Sequence, residues 1–197
     1  MKIAIIDYNA GNVQSVKFAL KRLGENGFLT SNSEEILSAD KVIFPGVGEA
    51  NSTMNHLRKL GLEKVIPNLK QPVLGVCLGM QLMCSHSEEN DTDCLNIIPQ
   101  RVVRFNPDSG DIKVPHVGWN KISVKKDSWI SEQLSEEYVY FVHSYFVKVG
   151  KFTIATTDYV QPFSAALQKD NFYATQFHPE KSGSVGEQIL KDFLKNT

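Results

Sequence analysis

Residues 72–81 read Pro72-Val73-Leu74-Gly75-Val76-Cys77-Leu78-Gly79-Met80-Gln81. Val73 to Val76 have the composition of a buried strand, and a helical pattern begins at Leu78. A cysteine stands at the crossing with a glycine two residues to either side. Gly75-x-Cys77-x-Gly79 is the cysteine counterpart of the Gly-x-Ser-x-Gly elbow, whose sharp strand-to-helix turn lifts the middle side chain out at the carboxyl end of a sheet. Open α/β sheets bind their ligands at that end. The thiol also stands at a helix N-terminus, where free N–H groups and the helix dipole favour thiolate. A small buried cysteine would satisfy the same five residues. Taken alone, the turn leaves nucleophile and core filler both open.

Strands and helices alternate on the N-terminal side of this turn. The apolar spacing predicts strands at residues 2–6, 28–31, 41–44 and 72–76. Helices are predicted from Val13, where Val13, Val16, Ala19, Leu20 and Leu23 recur on one face, and at 33–37, 50–60, 61–70 and 78–85. Such alternation implies a parallel sheet covered on both faces. After about residue 95 the pattern becomes extended: 101–105, 119–124, 138–149, 152–157, 164–168 and 172–177. Lys169-Asp170-Asn171 is a hairpin turn in this reading, and a last helix covers 184–194. The fold expected is one α/β domain over residues 1–197. Its central sheet is mixed and largely parallel, flavodoxin-like, flanked by helices and extended by antiparallel strands.

The chain has 197 residues, 42% of them hydrophobic and 22% charged, with a net charge of −1. No basic block marks a nucleic-acid surface. No run approaches a membrane span, and the N-terminal apolar stretch is too short for a signal peptide. Three cysteines, Cys77, Cys84 and Cys94, suit free thiols in a reducing cytoplasm. Cys84 falls inside the predicted helix 78–85 and is expected in the core, as is Cys94. His86 would follow Cys84 on that helix, but residues two apart do not share a helix face, so no metal site is expected there.

A cysteine nucleophile needs a base. Of five histidines, His178 in Gln176-Phe177-His178-Pro179-Glu180 ends an apolar strand that Pro179 stops. On extended backbone Glu180 points to the same side as His178 and can fix its tautomer. A surface turn closing a strand is the other reading. Pro45-Gly46-Val47-Gly48 ends the strand expected beside the elbow. Its backbone N–H groups, at Val47 and Gly48, together with the amide of Leu78 would form an oxyanion hole. A plain strand-ending turn is again the alternative. No Gly-Lys-Ser/Thr follows to make it a phosphate loop.

In their order, Pro45–Gly48, Gly75–Gln81 and Gln176–Ser182 resemble the class I, triad-type glutamine amidotransferases over essentially the whole chain. Asp7–Asn12, Pro115–Asn120 and Tyr140–Tyr145 look like the branch that supplies glutaminase subunits to imidazole glycerol phosphate synthases. Other branches usually carry a second glycine where this chain has Val47. The resemblance implies a Cys77–His178–Glu180 triad that hydrolyses L-glutamine through a thioester, with no cofactor and no metal. It implies that Gly46, Gln81, His143, Ser144 and Tyr145 bind substrate. It places Asn12, the His116–Asn120 motif with Trp119, Tyr140 and Lys181 toward a partner, a (β/α)8-barrel cyclase that receives the ammonia in a heterodimer. A duplicated subunit that feeds amidation of a surface-polysaccharide or nucleotide-sugar precursor would carry the same glutaminase.

Overall fold

The structure is a computed structural model and describes residues 1–8, 13–106, 113–125 and 128–197. Its first half comprises β1 (Ile3–Ile6), α1 (Val13–Arg22), β2 (Gly27–Thr30), α2 (Ser33–Leu37), β3 (Lys41–Phe44) and α3 (Ala50–Leu60). Then come α4 (Leu62–Val65), β4 (Val73–Val76) and α5 (Leu78–Met83). Short strands follow: β5 (Cys84–Ser87), β6 (Thr92–Asp93), β7 (Ile98–Arg104), β8 (His116–Lys121) and β9 (Ser123–Val124). The chain ends with β10 (Tyr138–His143), β11 (Tyr145–Val147), β12 (Thr153–Asp158), β13 (Pro162–Lys169), β14 (Phe172–Thr175) and α6 (Gly183–Asn196).

The main sheet has eight strands in the order β2-β1-β3-β4-β14-β13-β12-β9. From β2 to β14 every neighbouring pair is parallel, and beyond β14 the pairs are antiparallel. Every residue of β1, β3 and β4 is buried, as expected of strands covered on both faces. The pleat sends alternate side chains of β1 to opposite sides. Ile3 and Ile5 join Val16, Leu20 and Phe193 in one core, while Ala4 and Ile6 join Ile36, Leu57 and Phe172 in the other. Two small sheets, β10-β8 and β11-β7-β5-β6, make up the rest. No helix among the described residues is long and apolar enough to cross a membrane.

Three expectations change. The helix at 61–70 is shortened to α4 and a 3-10 turn at Ile66–Asn68, because Pro67 cannot continue the α ladder. The helix at 78–85 stops at Met83, and Cys84 opens β5 with extended backbone. Cys84 is therefore a strand residue, though buried as anticipated, and burial pushes its thiol well above the usual range. His86 shares that strand, with its ring 3.2 Å from carboxylates of Asp91 and Asp93. The extended stretch 138–149 is two strands. At Ser144 the chain leaves the pairing with β8 and takes up pairing with β7.

Candidate active site

Three neighbouring parallel strands in the middle of the sheet, β3, β4 and β14, deliver the site from their carboxyl ends. Pro45–Gly48 leaves β3, Cys77 leaves β4 and His178 follows β14. The cysteine holds φ 51° and ψ −107°, a conformation that disfavours any residue with a Cβ. Its N–H donates to Thr175 O at 2.7 Å, which ties the elbow to β14. Glycines permit the contact with β3. A Cβ on Gly46 would lie 2.3 Å from the amide nitrogen of Gly79 and 2.6 Å from Val76 O. The Tyr8 hydroxyl donates to Pro45 O in the same turn. Tyr8, which the sequence left without a role, is buried edge-on against Phe44. Burial, and then the charge of nearby Cys77, raise its phenol far above the ordinary value.

His178 Nδ1 lies 2.8 Å from Glu180 Oε1, with the two side chains only 1% and 4% exposed. The pairing is the one anticipated, but its geometry is not. Pro179–Lys181 form a 3-10 turn, so Glu180 reaches the ring by helical curvature rather than along an extended strand. The segment is stapled to β10: His178 N–H donates to Tyr140 O at 2.9 Å and Ser182 Oγ donates to His178 O at 2.7 Å. Nε2 makes no hydrogen bond of ordinary geometry among the described residues and shares the cleft with Cys77. Burial opposes the imidazolium, but the charges and polar contacts of Cys77 and then Glu180 outweigh it and raise His178 to about 10.

The cleft holds about 340 Å³ and gathers most of the anticipated residues. Its lining includes Gly46, Val47 and Gly48 with Cys77, Leu78 and Gln81. His143, Ser144, Tyr145 and His178 also line it. Gln81 is almost fully buried, and its Nε2 donates both to Tyr145 O (2.9 Å) and to Gln176 Oε1 (3.0 Å). Only Oε1, an acceptor, remains for a ligand. His143 Nδ1 donates to the same Tyr145 carbonyl at 2.7 Å.

Two residues not singled out from the sequence bear on the site, Glu89 in the cleft lining and Gln176 buried behind it. Glu89 brings a carboxylate, half-buried, whose Oε2 accepts from Ala50 N–H at 2.9 Å. Burial raises its pKa, the Ala50 bond lowers it and the Glu49 charge raises it, for a net upward shift. Gln176 donates from Nε2 to Cys77 Sγ at 3.6 Å. A carboxylate twelve residues past an elbow has no local pattern that could have flagged it. Gln176 could have been noticed as a polar residue inside an apolar run.

The remaining anticipated residues lie away from the cleft. Val117, Trp119 and Tyr138 are more than half exposed on the β8-β10 ribbon. Trp119 opposes Tyr140 across the ribbon, ring centroids 6.0 Å apart, and Lys181 Nζ sits 5.9 Å from the Tyr140 ring. His116 departs from the anticipated outward placement. The pleat turns it inward, 3% exposed, where it stacks on Tyr159 and Phe141 and lies 3.2 Å from His143. Asn12 lies outside the described residues.

Residues 4–197 match the family model described as glutamine amidotransferase class-I. The chain belongs to the class-I glutamine amidotransferase family. It is 60% identical over 194 residues to the imidazole glycerol phosphate synthase subunit HisH of Bacteroides thetaiotaomicron, covering 98% of this chain and 99% of that one. It is 45% identical to the HisH subunit of Idiomarina loihiensis, covering 100% and 99%. Among solved structures, one described as a glutamine amidotransferase aligns with a TM-score of 0.76 at 18% identity, covering 99% and 98%. PurLQS from Thermotoga maritima aligns with a TM-score of 0.70 at 14% identity, covering 99% and 98%. Both support the fold. The curated relatives are each named as a subunit, so a complex with a partner subunit is implied.

Proposed function

We propose that the chain is the glutaminase subunit of an imidazole glycerol phosphate synthase. It hydrolyses L-glutamine to glutamate and ammonia and passes the ammonia to a (β/α)8-barrel cyclase partner in the cytoplasm. There imidazole glycerol phosphate and the carboxamide ribonucleotide by-product AICAR are made in histidine biosynthesis. The observation that carries this reading is the convergence of Cys77, His178 and the Pro45–Gly48 turn from three adjacent strands on one cleft, in a chain 60% identical to HisH subunits.

In this reading Cys77 Sγ attacks the side-chain amide carbon of glutamine. As the C–N bond breaks, the proton on His178 Nε2 passes to the departing ammonia. Water then adds to the thioester and gives its proton back to His178, and the C–S bond breaks with its electron pair returning to sulfur, which frees glutamate and restores the thiolate beside the protonated imidazole. Glu180 holds the imidazole in register throughout. The amide of Leu78 and the backbone of Val47 and Gly48 face the oxyanion. Glu89 and Gln81 Oε1 suit the substrate's ammonium, since both only accept. Gly46, His143 and the Ser144–Tyr145 backbone frame the rest of the glutamine.

The aromatic ribbon of exposed Trp119 and half-buried Tyr140, with Lys181 beside it, suits the partner. Interfaces favour such anchors. Ammonia released to solvent is lost to the acceptor, so turnover should stay low until the cyclase and its nucleotide are in place. The test is a glutaminase assay with and without that partner and its ligand. Strong stimulation by the complex is expected. Full turnover by the isolated chain would overturn the subunit reading, and an unaffected Cys77→Ala variant would overturn the triad.

A further inference from the structure

We propose that Gln176 is a catalytic residue: its side-chain amide donates to the reacting sulfur of Cys77 and steadies it during attack and release. The proposal rests on the reading of Cys77 as nucleophile.

Gln176 is completely buried between the end of β14 and His178. Its Nε2 lies 3.6 Å from Cys77 Sγ, and its Oε1 accepts from Gln81 Nε2 at 3.0 Å. The direction of this chain is set by backbone. Tyr145 O can only accept, so the nitrogen of Gln81 must face it. The second hydrogen on that nitrogen meets Gln176 Oε1, which leaves the Gln176 NH2 group aimed at the sulfur. Reversing the Gln176 amide would set nitrogen against nitrogen on one side and an oxygen lone pair against sulfur on the other. Buried polar groups need partners, so a single arrangement is self-consistent.

Packing alone gives no reason for an amide here, because methionine would fill the same volume without buried polar atoms. The second neighbour of Sγ has the opposite polarity. Val142 O, 3.8 Å away, accepts the thiol proton, whereas Gln176 serves the sulfur once that proton has gone. The sulfur carries most charge just before it bonds to the amide carbon, and again when the C–S bond of the thioester breaks and the electron pair returns to it. A preorganised donor is most effective at those two moments.

Gln176→Met keeps the bulk and removes the donor. In the full chain, alkylation of Cys77 by iodoacetamide at fixed pH, followed on the Cys77 peptide by mass spectrometry, should slow about fivefold or more. In the complex with the cyclase, kcat for glutamine should fall about tenfold while KM changes less than about threefold. Alkylation and kcat both within about twofold of wild type would overturn the proposal. Alkylation requires neither glutamine nor partner. Slowed alkylation alongside no glutaminase in any complex would therefore uphold the Gln176 contact and overturn the function proposed above. A second measurement covers the case in which the variant does not fold. In wild-type chain carrying 15N-glutamine, the Gln176 side-chain amide signal should move on Cys77 alkylation and differ in Cys77→Ala. A signal unchanged in both would overturn it.

Discussion

A Cβ on Gly79 would lie 2.1 Å from the carbonyl oxygen of Phe44. The end of β3 and the first turn of α5 therefore touch through main chain, and the turn that follows Phe44 is registered against the elbow without any side chain between them. Gly79→Ala must force these segments apart. Overpacking of this kind costs about 1–3 kcal/mol. The urea midpoint should fall accordingly, and glutaminase activity should fall further, because the displacement lands between Cys77 and the Pro45–Gly48 turn, the nucleophile and oxyanion turn proposed above. Wild-type values for both would show the contact to be dispensable.

The strained elbow separates two substitutions that chemistry alone cannot. Cys77→Ala and Cys77→Gly should both end glutamine hydrolysis while leaving synthesis from added ammonium salts. At φ 51° and ψ −107° only glycine is unstrained, so the glycine variant should exceed the alanine variant in stability by about 1–3 kcal/mol. Equal denaturation midpoints would mean that the backbone stores no strain here.

His178 sets a pH dependence. Burial, then Cys77 and Glu180, leave its folded value at about 10, above the unfolded value near 6.5. The stability contributed by its charged form is therefore fully present below about pH 6.5 and is lost as pH rises through about 10. Glu180→Gln removes one of the causes and should move this decline, and the alkaline limb of kcat/KM, to lower pH. A rate loss of about 100-fold or more should accompany it if the carboxylate orients the base. A pH series of denaturation midpoints and of kcat/KM checks both.

The His143–His116 contact offers a second such separation. Tyr145 O fixes the proton of His143 on Nδ1, so Nε2 accepts from His116 Nδ1 at 3.2 Å. Burial keeps both rings neutral, lowering His143 to about 3 and His116 to about 4. His116→Phe retains the ring between Phe141 and Tyr159 but has no donor. His116→Asn keeps a donor near the Nδ1 position and loses the stack. If the donor positions the substrate side of the cleft, the phenylalanine variant should raise KM for glutamine about tenfold and the asparagine variant less. The reverse order, with matching losses in thermal stability, would assign His116 to packing alone.

Trp119 is 55% exposed, so Trp119→Ala should leave the chain's own stability within about 0.5 kcal/mol. In the anchoring role proposed above, its loss should cost partner association about 2 kcal/mol or more. Titration of the cyclase against wild-type and variant chains measures the difference. An unchanged dissociation constant would place the interface elsewhere.

Short-range pattern made the first half of the chain and the two ends of the chemistry legible. Apolar runs with helical or strand spacing located β1, α1, β3 and β4. Glycine spacing gave the elbow, and Pro179 gave the strand end before Glu180. Each of these depends on residues within a few positions of one another, where backbone sterics and capping act. The same local logic misjudged Glu180, whose approach to His178 is helical, and ended α5 two residues late. What only the tertiary structure decided are relations across long separations. They include β14 lying beside β4, Tyr8 bracing Pro45, Glu89 entering the cleft, and Gln176 reaching across from Gln81 to Cys77. They include also the inward turn of His116 against the outward turn of Trp119 on one strand. Such contacts depend on strand order and on what covers each face. A sequence pattern with a period of a few residues carries neither.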